Sequence, residues 1–195
     1  SIFNKDLSQR FRENILSIEL KAEREMEEKN GKILLVTSTI SGEGKSTLAL
    51  NMAYAAAAHG KRVLFIDGDL RKQIDRKKLT EKEGQGLFGV VKGKVSLEEA
   101  VETDPRSGIR FLCGNLPVRN VPGVLNHPVF KEILEQARKE NDLIILDAPP
   151  AEMFEDASLM AEYSDGILYV IRHDFVQKRR ILDSLAGLEE SSCPI

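Results

Sequence analysis

Several features that mark whole classes of protein are scarce in this chain. Its 195 residues include only two cysteines, Cys113 and Cys193, whose spacing fits neither a metal site nor a disulfide framework. The longest apolar run, residues 48–58, is rich in alanine, is interrupted by Asn51 and is far shorter than the roughly 20 residues that a bilayer-spanning helix needs. The sequence therefore predicts a cytoplasmic chain in a reducing compartment.

Strong charge of one sign is also missing. The formal net charge is -3 and no long run of basic residues occurs, so a nucleic-acid partner is not expected. The hydrophobic share of 42% over 195 residues is enough for one sizeable core. We therefore expect residues 1–195 to form a single domain.

Short aliphatic runs alternate with segments of helical periodicity. This alternation is typical of an α/β fold, in which a mostly parallel central sheet carries helices on both faces. Gly, Pro and Asn are frequent in residues 81–93 and 116–128, which predicts loops there. The predicted strands are residues 33–37, 63–67, 109–113, 143–147 and 167–171.

The first predicted helix, residues 9–29, combines many charges with an apolar stripe at helical spacing. The stripe can pack on the same domain or on a neighbouring subunit, and the sequence leaves both alternatives open. We interpret residues 1–30 as an N-terminal helical segment and as a candidate oligomer or partner interface. The stripe consists of Ile15, Ile18, Ala22 and Met26.

A glycine-rich stretch follows the first predicted strand. Residues 37–47 read Thr-Ser-Thr-Ile-Ser-Gly-Glu-Gly-Lys-Ser-Thr, and a helix is predicted over residues 46–59. In this context glycines let backbone N–H groups turn toward phosphate oxygens, the lysine neutralises the β- and γ-phosphates, and the hydroxyl binds Mg2+. The usual motif has glycine where this chain has Thr39. We predict an ATP or GTP site with Mg2+, formed by Ser41, Gly42, Glu43, Gly44, Lys45, Ser46 and Thr47.

Two aspartate motifs follow two other aliphatic strands. The first reads Asp67-Gly-Asp69-Leu-Arg71, and the second begins at Asp147 and continues Ala-Pro-Pro. Each places a carboxylate just past the carboxyl end of a buried parallel strand, where open α/β sheets bind ligands. Asp147 is the expected Walker B carboxylate for Mg2+. In the first motif, one aspartate is expected to face the phosphates while the other caps the turn or pairs with Arg71.

The three motifs together resemble those of the bacterial tyrosine kinases of polysaccharide co-polymerase systems. The middle motif, three apolar residues followed by Asp67-x-Asp69-x-Arg71, is the specific one, because very many NTPases share the phosphate loop. The match extends through most of the chain. Partition and division-site ATPases of the same superfamily carry a signature lysine where this chain has Ile40, which argues against them.

The resemblance implies transfer of the γ-phosphoryl group of ATP to a tyrosine hydroxyl. It assigns catalytic roles to Lys45, Asp67 and Asp69, and metal-binding roles to Ser46, Asp69 and Asp147. Lys45 neutralises the phosphates in this scheme, whereas Asp67 orients the tyrosine and accepts its proton. Because an ordinary aspartate has a pKa of about 4 and tyrosine about 10, we expect that proton to move late.

Arg172 directly follows the last predicted strand and resembles an arginine near the adenine pocket of that family. The family's tyrosine-rich tail has no counterpart here, since Tyr54, Tyr163 and Tyr169 are all expected to pack in or near the core. The acceptor is therefore expected in a protein substrate or in the protein's own tail. We expect the chain to be a piece of a longer protein, with a further strand and tail beyond its last residue.

The resemblance also implies partners and a location. A transmembrane co-polymerase or activator protein, or a fused transmembrane region, would hold the domain at the inner face of the cell membrane during synthesis and export of capsular or exopolysaccharide. The family's assembly helix carries Glu-x-x-Arg-x-x-Arg, whereas this chain has Gln9-x-x-Arg12-x-x-Ile15, so a homo-oligomer stays an open alternative. The competing hypothesis is a regulatory P-loop ATPase that switches partners without modifying tyrosine.

Overall fold

A central sheet organises the part of the chain that the structure describes. The structure is a computed structural model, and it describes residues 9–27, 30–70, 86–114, 120–153, 155–191 and 193–195. The strands in these ranges are β1 (Ile33–Ser38), β2 (Val63–Asp67), β3 (Glu102–Thr103), β4 (Arg110–Leu112), β5 (Leu143–Asp147) and β6 (Gly166–Val170). They form one sheet in the order β3-β4-β2-β5-β1-β6. Every neighbouring pair is parallel except β3 with β4.

The central strands β1, β2 and β5 are apolar up to their last one or two residues because both of their faces are covered. In β2, Leu64 and Ile66 belong to one apolar cluster, while Val63 and Phe65 belong to a second cluster on the opposite face. A strand buried on both sides has no reason to alternate polar and apolar residues. The predicted class, an α/β fold with a mostly parallel sheet, is confirmed.

Helices cover both faces of the sheet. Ile15 of the first helix and Met52 of the second pack in one cluster, whereas Phe130 and Leu188 of later helices pack in the other. Within the described residues, no helix has the combination of length and hydropathy that a bilayer span requires. The helices of the described ranges are α1 (Gln9–Glu27), α2 (Lys45–Ala58), α3 (Leu87–Val91), α4 (Leu97–Ala100), α5 (Val121–Leu125), α6 (Pro128–Glu140), α7 (Asp156–Ala161) and α8 (Lys178–Glu189).

The apolar stripe of α1 packs on the same chain. Ile15 and Met26 are buried, and Ile18 and Ala22 are half-buried against the cluster that α2 also lines. The first of the two alternatives is therefore confirmed. Leu20 lies on another side of α1 and is 56% exposed. A role for this outer side in contacts with a subunit or partner stays a prediction.

Two segments predicted as loops contain short helices, so those predictions were wrong in part. α3 falls within residues 81–93 and α5 within residues 116–128; residues 81–85 and 116–119 lie outside the described residues. Leu87 begins α3 and is buried in the core. The Asn120 side chain caps α5 by accepting a hydrogen bond from the Gly123 N–H at 3.0 Å. Asn and Pro favour helix starts as well as turns, which explains the error.

Candidate functional site

The phosphate loop runs from the end of β1 to the start of α2 and depends on two glycines. Gly42 and Gly44 both have a φ of 93°, a left-handed value that other residues rarely adopt. Gly44 is also the N-cap of α2, so the loop leads into the positive end of a helix dipole, where backbone N–H groups attract anions. The residues exposed along this loop and first turn are Ser41, Gly42, Gly44, Ser46 and Thr47.

Lys45 lies beneath the loop and connects it to the Walker B strand. Its Nζ is 3.1 Å from Asp147 Oδ1 and 3.1 Å from Ser46 Oγ. Lys45 and Asp147 are only 5% and 3% exposed. Because a buried charge is costly unless it is paired, this contact offsets part of the cost of burying both side chains. The structure thus brings together Lys45, Ser46 and Asp147, which the sequence assigned to phosphate and metal binding.

Asp67 and Asp147 end neighbouring strands and lie side by side. β2 and β5 pair in a register that places the Cα of Asp67 opposite the Cα of Asp147. Asp69 follows Asp67 after one glycine, and the Asp69 N–H donates a hydrogen bond of 3.1 Å to Asp67 Oδ1. All three carboxylates are buried. Arg71, which was predicted as a partner for one of the two aspartates of this motif, lies outside the described residues, so that pairing stays a prediction.

The electrostatics of this edge favour protonation. Burial, and then the neighbouring charge of Asp147, raise the pKa of Asp67 to about 7, although the amide of Asp69 works in the opposite direction. Burial also raises the pKa of Asp147, against the lowering effect of Lys45. Within the part of the chain that the structure describes, nearby positive charge is therefore too small to offset the burial of these carboxylates. Paired carboxylates of this kind are common where a cation or a proton is handled.

Gly68 is a site residue whose importance the sequence reasoning missed. Its N–H donates a hydrogen bond of 2.9 Å to the carbonyl oxygen of Asp147. A Cβ at this position would lie 2.8 Å from Met160 Cε and 3.0 Å from the Asp147 carbonyl oxygen. Only glycine allows the turn after β2 to approach β5 so closely. The Asp-Gly-Asp sequence was the available signal, because a glycine between two aspartates points to a close backbone approach.

Thr39, the departure from the usual loop pattern, has a specific partner. Its side chain is buried, and Thr39 Oγ1 accepts a hydrogen bond of 2.9 Å from the Tyr169 hydroxyl. A threonine fits here because β6 provides a donor for its hydroxyl. No local sequence signal could have shown this contact, since the two residues are far apart in the chain.

The three tyrosines pack at the margins of the core, as predicted. Tyr54, Tyr163 and Tyr169 are half-buried and adjoin the apolar clusters. Burial raises the pKa of Tyr54 and of Tyr169. Their packing makes all three poor acceptors for a phosphoryl group.

Arg172 lies against the phosphate loop. Its Nη1 is 3.3 Å from the carbonyl oxygen of Gly42, and its guanidinium stacks 4.6 Å from the centroid of the Phe175 ring. The ring itself borders Gly42, because a Cβ there would lie 3.4 Å from Phe175 Cζ. The position is compatible with a nucleotide-binding role, and a contact with the base stays a prediction.

Curated relatives of the chain include a protein named as a tyrosine kinase. YwqD of Bacillus subtilis (strain 168), a tyrosine-protein kinase, is 33% identical over 149 residues, which are 76% of this chain and 63% of that protein. ExoP of Rhizobium meliloti (strain 1021), a succinoglycan biosynthesis transport protein, is 28% identical over 178 residues, which are 90% of this chain and 23% of that protein. The chain thus spans less than two thirds of the length of either relative.

A solved structure supports the same grouping. The BceF tyrosine kinase domain has a TM-score of 0.84 to this chain and 25% sequence identity, with 93% of this chain and 73% of that chain covered. The resemblance to bacterial tyrosine kinases, inferred from the three motifs, is confirmed by these relatives, and the P-loop fold is confirmed by the shared architecture.

A family model described as an AAA domain matches residues 31–178. The matched range begins just before β1 and ends at the first residue of α8, so it contains the phosphate loop, both aspartate motifs and all of the central strands. It also covers most of the chain. On these grounds the chain belongs to the AAA domain family.

Proposed function

We propose that this chain is the ATP-dependent catalytic domain of a bacterial protein-tyrosine kinase that regulates capsular or exopolysaccharide synthesis. The observation that carries the proposal is the pairing of Asp67 with Asp147 beside the phosphate loop, with the pKa of Asp67 raised to about 7 chiefly by burial. A phosphate loop alone would serve any NTPase. A buried carboxylate with this pKa is suited to accept a proton from an attacking hydroxyl.

Mg2+ fits the donor set at the loop. Ser46 Oγ and Asp147 Oδ1 already face one cationic group, the ammonium of Lys45, at 3.1 Å each. The described residues contain no group of three or more His, Cys, Asp or Glu side chains that could form an all-protein metal cage. Mg2+ rarely needs one, because one or two carboxylates, substrate phosphates and water usually suffice. We assign Ser46 and Asp147 to hold it, with Asp69 beside them; when bound, Mg2+ neutralises charge on the phosphates.

Transfer of the phosphoryl group then depends on positioning and charge neutralisation. Backbone amides of residues 42–47 hold the phosphates, and Lys45 exchanges its contact with Asp147 for oxygens of the β- and γ-phosphates. The tyrosine oxygen forms a bond to the γ-phosphorus while the bond from that phosphorus to the β–γ bridging oxygen breaks, which releases ADP. Phosphoryl transfer of this kind requires little covalent chemistry from the protein.

Asp67 accepts the tyrosine proton in this scheme. Its Oδ1 is engaged by the Asp69 amide, so Oδ2 is the oxygen that we assign to the tyrosine hydroxyl. With a pKa of about 7 for Asp67 and about 10 for tyrosine, the gap is about three units rather than the six expected for an ordinary aspartate. Proton transfer late in the reaction is correspondingly less uphill.

The surroundings of the domain are proposed from its relatives. ExoP is named for succinoglycan biosynthesis transport, which supports a role at the inner face of the cell membrane, through a transmembrane activator or a fused transmembrane region. Because Tyr54, Tyr163 and Tyr169 are half-buried, the acceptor is a tyrosine of another protein or of the protein's own tail. Residues 1–195 act as one domain in this proposal, and the outer side of α1 is available for a homo-oligomer.

The test follows the γ-phosphate of labelled ATP in the presence of Mg2+ and a tyrosine-rich acceptor peptide. We expect label on peptide tyrosine, reduced at least about 100-fold by Lys45→Met and by Asp67→Asn. Lys92→Met is the matched control, because Lys92 lies over the Phe88 ring and its removal should leave transfer unchanged. Label released only as free phosphate would instead support the regulatory ATPase, and a protein that binds no nucleotide would refute both functions.

A further inference from the structure

Glu43 places a negative charge inside a loop that binds phosphate. Its side chain is buried, with only 6% of the residue exposed. A buried carboxylate next to incoming phosphate groups opposes their binding, and its own removal from water is costly unless hydrogen bonds replace the lost hydration. A residue that only separated two glycines would have no reason to be a buried carboxylate, so this side chain must have a further role.

The two carboxylate oxygens of Glu43 contact two separate pieces of backbone. Oε2 accepts a hydrogen bond from the Ile40 N–H at 2.8 Å, within the phosphate loop itself. Oε1 accepts a hydrogen bond from the Arg172 N–H at 3.2 Å, just after β6. Glu43 is thus a bridge between the loop and residues 172–175. Hydrogen bonds to a carboxylate are stronger than hydrogen bonds between neutral groups, so Glu43 holds the loop and residues 172–175 together more strongly than a neutral side chain would.

Side chains of residues 172–175 also contact the phosphate loop. The Arg172 guanidinium lies 3.3 Å from the Gly42 carbonyl oxygen and stacks on the Phe175 ring. The Phe175 ring in turn lies against Gly42. The loop and this segment therefore form one packed unit, and the Glu43 carboxylate is the only described side chain that bonds the backbone of both.

We propose that Glu43 is a positioning residue, which fixes the phosphate loop and residues 172–175 in their binding arrangement before the nucleotide arrives. The proposal rests on the proposed ATP binding and adds to it a residue that acts without touching the substrate. By holding the Ile40 and Arg172 amides in place, Glu43 removes ordering that ATP binding would otherwise have to provide. This gain outweighs the repulsion between its charge and the phosphates.

Glu43→Gln distinguishes charge repulsion from positioning, because the two effects predict opposite changes in the affinity for Mg–ATP. Glutamine removes the repelling charge, but it has only one acceptor oxygen and cannot bridge both amides. If repulsion were the main effect, Glu43→Gln would bind Mg–ATP more tightly. We expect the variant to bind about tenfold more weakly, as the loss of one hydrogen bond to a charged group implies. In the kinase assay, KM for ATP should rise by a similar factor while kcat changes little.

Two further variants complete the experiment, with titration of Mg–ATP by calorimetry as the measurement. Glu43→Asp keeps the charge but is one methylene shorter, so it should bind as weakly as Glu43→Gln. Glu132→Gln is the matched control, because it makes the same change of side chain at an exposed position of α6, outside the phosphate loop and residues 172–175. Its affinity should equal that of the unchanged chain. Affinity retained by either Glu43 variant would overturn the proposal.

Amide exchange in the nucleotide-free, unmutated chain provides a test that does not depend on how the variants fold. The Ile40 and Arg172 amides should exchange at least about 100-fold more slowly than unprotected amides. Exchange of both at unprotected rates would refute the bridge. Failure of the unmutated chain to bind Mg–ATP would be a different result, since it would refute the proposed function while amide protection could still be measured.

Discussion

Carboxylates at the two ends of the parallel strands, the amino edge where the strands begin and the carboxyl edge where they end, meet different surroundings. At the amino edge, Asp165 precedes β6, and its Oδ2 accepts hydrogen bonds from the Lys32 and Ile33 amides at 2.7 and 2.8 Å. Arg138 adds a two-pronged contact of 2.7 and 3.0 Å. Burial alone would raise the pKa of Asp165, but the Arg138 and backbone donors outweigh it and hold that pKa below its usual value.

At the carboxyl edge, the effects that raise a carboxylate pKa outweigh those that lower it. There the pKa of Asp67 is raised to about 7, first by burial and then by the charge of Asp147, and Lys45 is the cation that faces Asp147. Among the described residues, Arg138 and two backbone amides compensate the Asp165 carboxylate, whereas the carboxylates of the carboxyl edge keep charge that a ligand can neutralise. Stability and binding therefore depend on opposite edges of one sheet.

The largest expected effect on stability comes from breaking the amino edge. Arg138→Ala would leave Asp165 partly buried without its cation, so we expect the free energy of unfolding to fall by about 3 kcal/mol. Denaturant unfolding measures this loss. Nucleotide affinity of the folded variant should not change, because the phosphate loop lies at the other edge.

Arg62→Ala is the matched control for Arg138→Ala. Arg62 pairs with Asp142 at 2.6 Å, but the Arg62 side chain is 60% exposed, so its loss should cost less than about 1 kcal/mol. If the two variants were equally stable, the contrast between a partly buried and an exposed ion pair would not hold in this protein.

A smaller effect of opposite sign is expected at the carboxyl edge. The folded-state pKa of Asp67, about 7, lies above its unfolded value, so the wild-type chain loses stability as pH rises between roughly 4 and 7. Asp67→Asn removes this ionisation and keeps an oxygen for the Asp69 amide. With a chelator present, we expect the variant to gain on the order of 2 kcal/mol at pH 8 and almost nothing near pH 4.

Asp165→Asn should respond to pH in the opposite way. Its lowered folded-state pKa means that the ionised carboxylate stabilises the fold at neutral pH, and that this contribution is lost as pH falls through the folded-state pKa. The variant should therefore be less stable than wild type at pH 8. Thermal unfolding over roughly pH 2–8 measures both variants, because the Asp165 contribution is lost only below the ordinary aspartate pKa of about 4. A parallel response of the two variants would contradict the assigned roles of the edges.

The sequence predicted the elements whose causes are local. β2 and β5 have the predicted bounds, residues 63–67 and 143–147, because a continuous aliphatic run suits a strand covered on both faces. The phosphate loop was recognised because glycines at fixed spacing are needed for its positive φ values. α3 and α5 were missed because short helices depend on core contacts more than on their own residues.

Contacts between residues that are far apart in the sequence could not be predicted from local sequence patterns. The pKa of Asp67 depends on the register that places it opposite Asp147, and the bridge of Glu43 depends on where the chain returns after β6. Both depend on strand order, which the pattern of aliphatic runs does not specify. The contact between Thr39 and Tyr169 is of the same kind, and it turned a departure from the loop pattern into a specific interaction.

The smallest predicted effect concerns that contact, at the junction between the loop and β6. Tyr169→Phe removes the donor to Thr39 Oγ1, and Thr39→Val removes the acceptor with little change in shape. We expect each variant to lose about 1 kcal/mol of stability, because each leaves a polar group without its hydrogen bond. The double variant should lose little more than either one, which a double-mutant cycle detects as coupling of about 1 kcal/mol. Tyr163→Phe, whose ring packs edge-on against Phe130, is the control, and additive losses would show that the Thr39 hydroxyl does not depend on Tyr169.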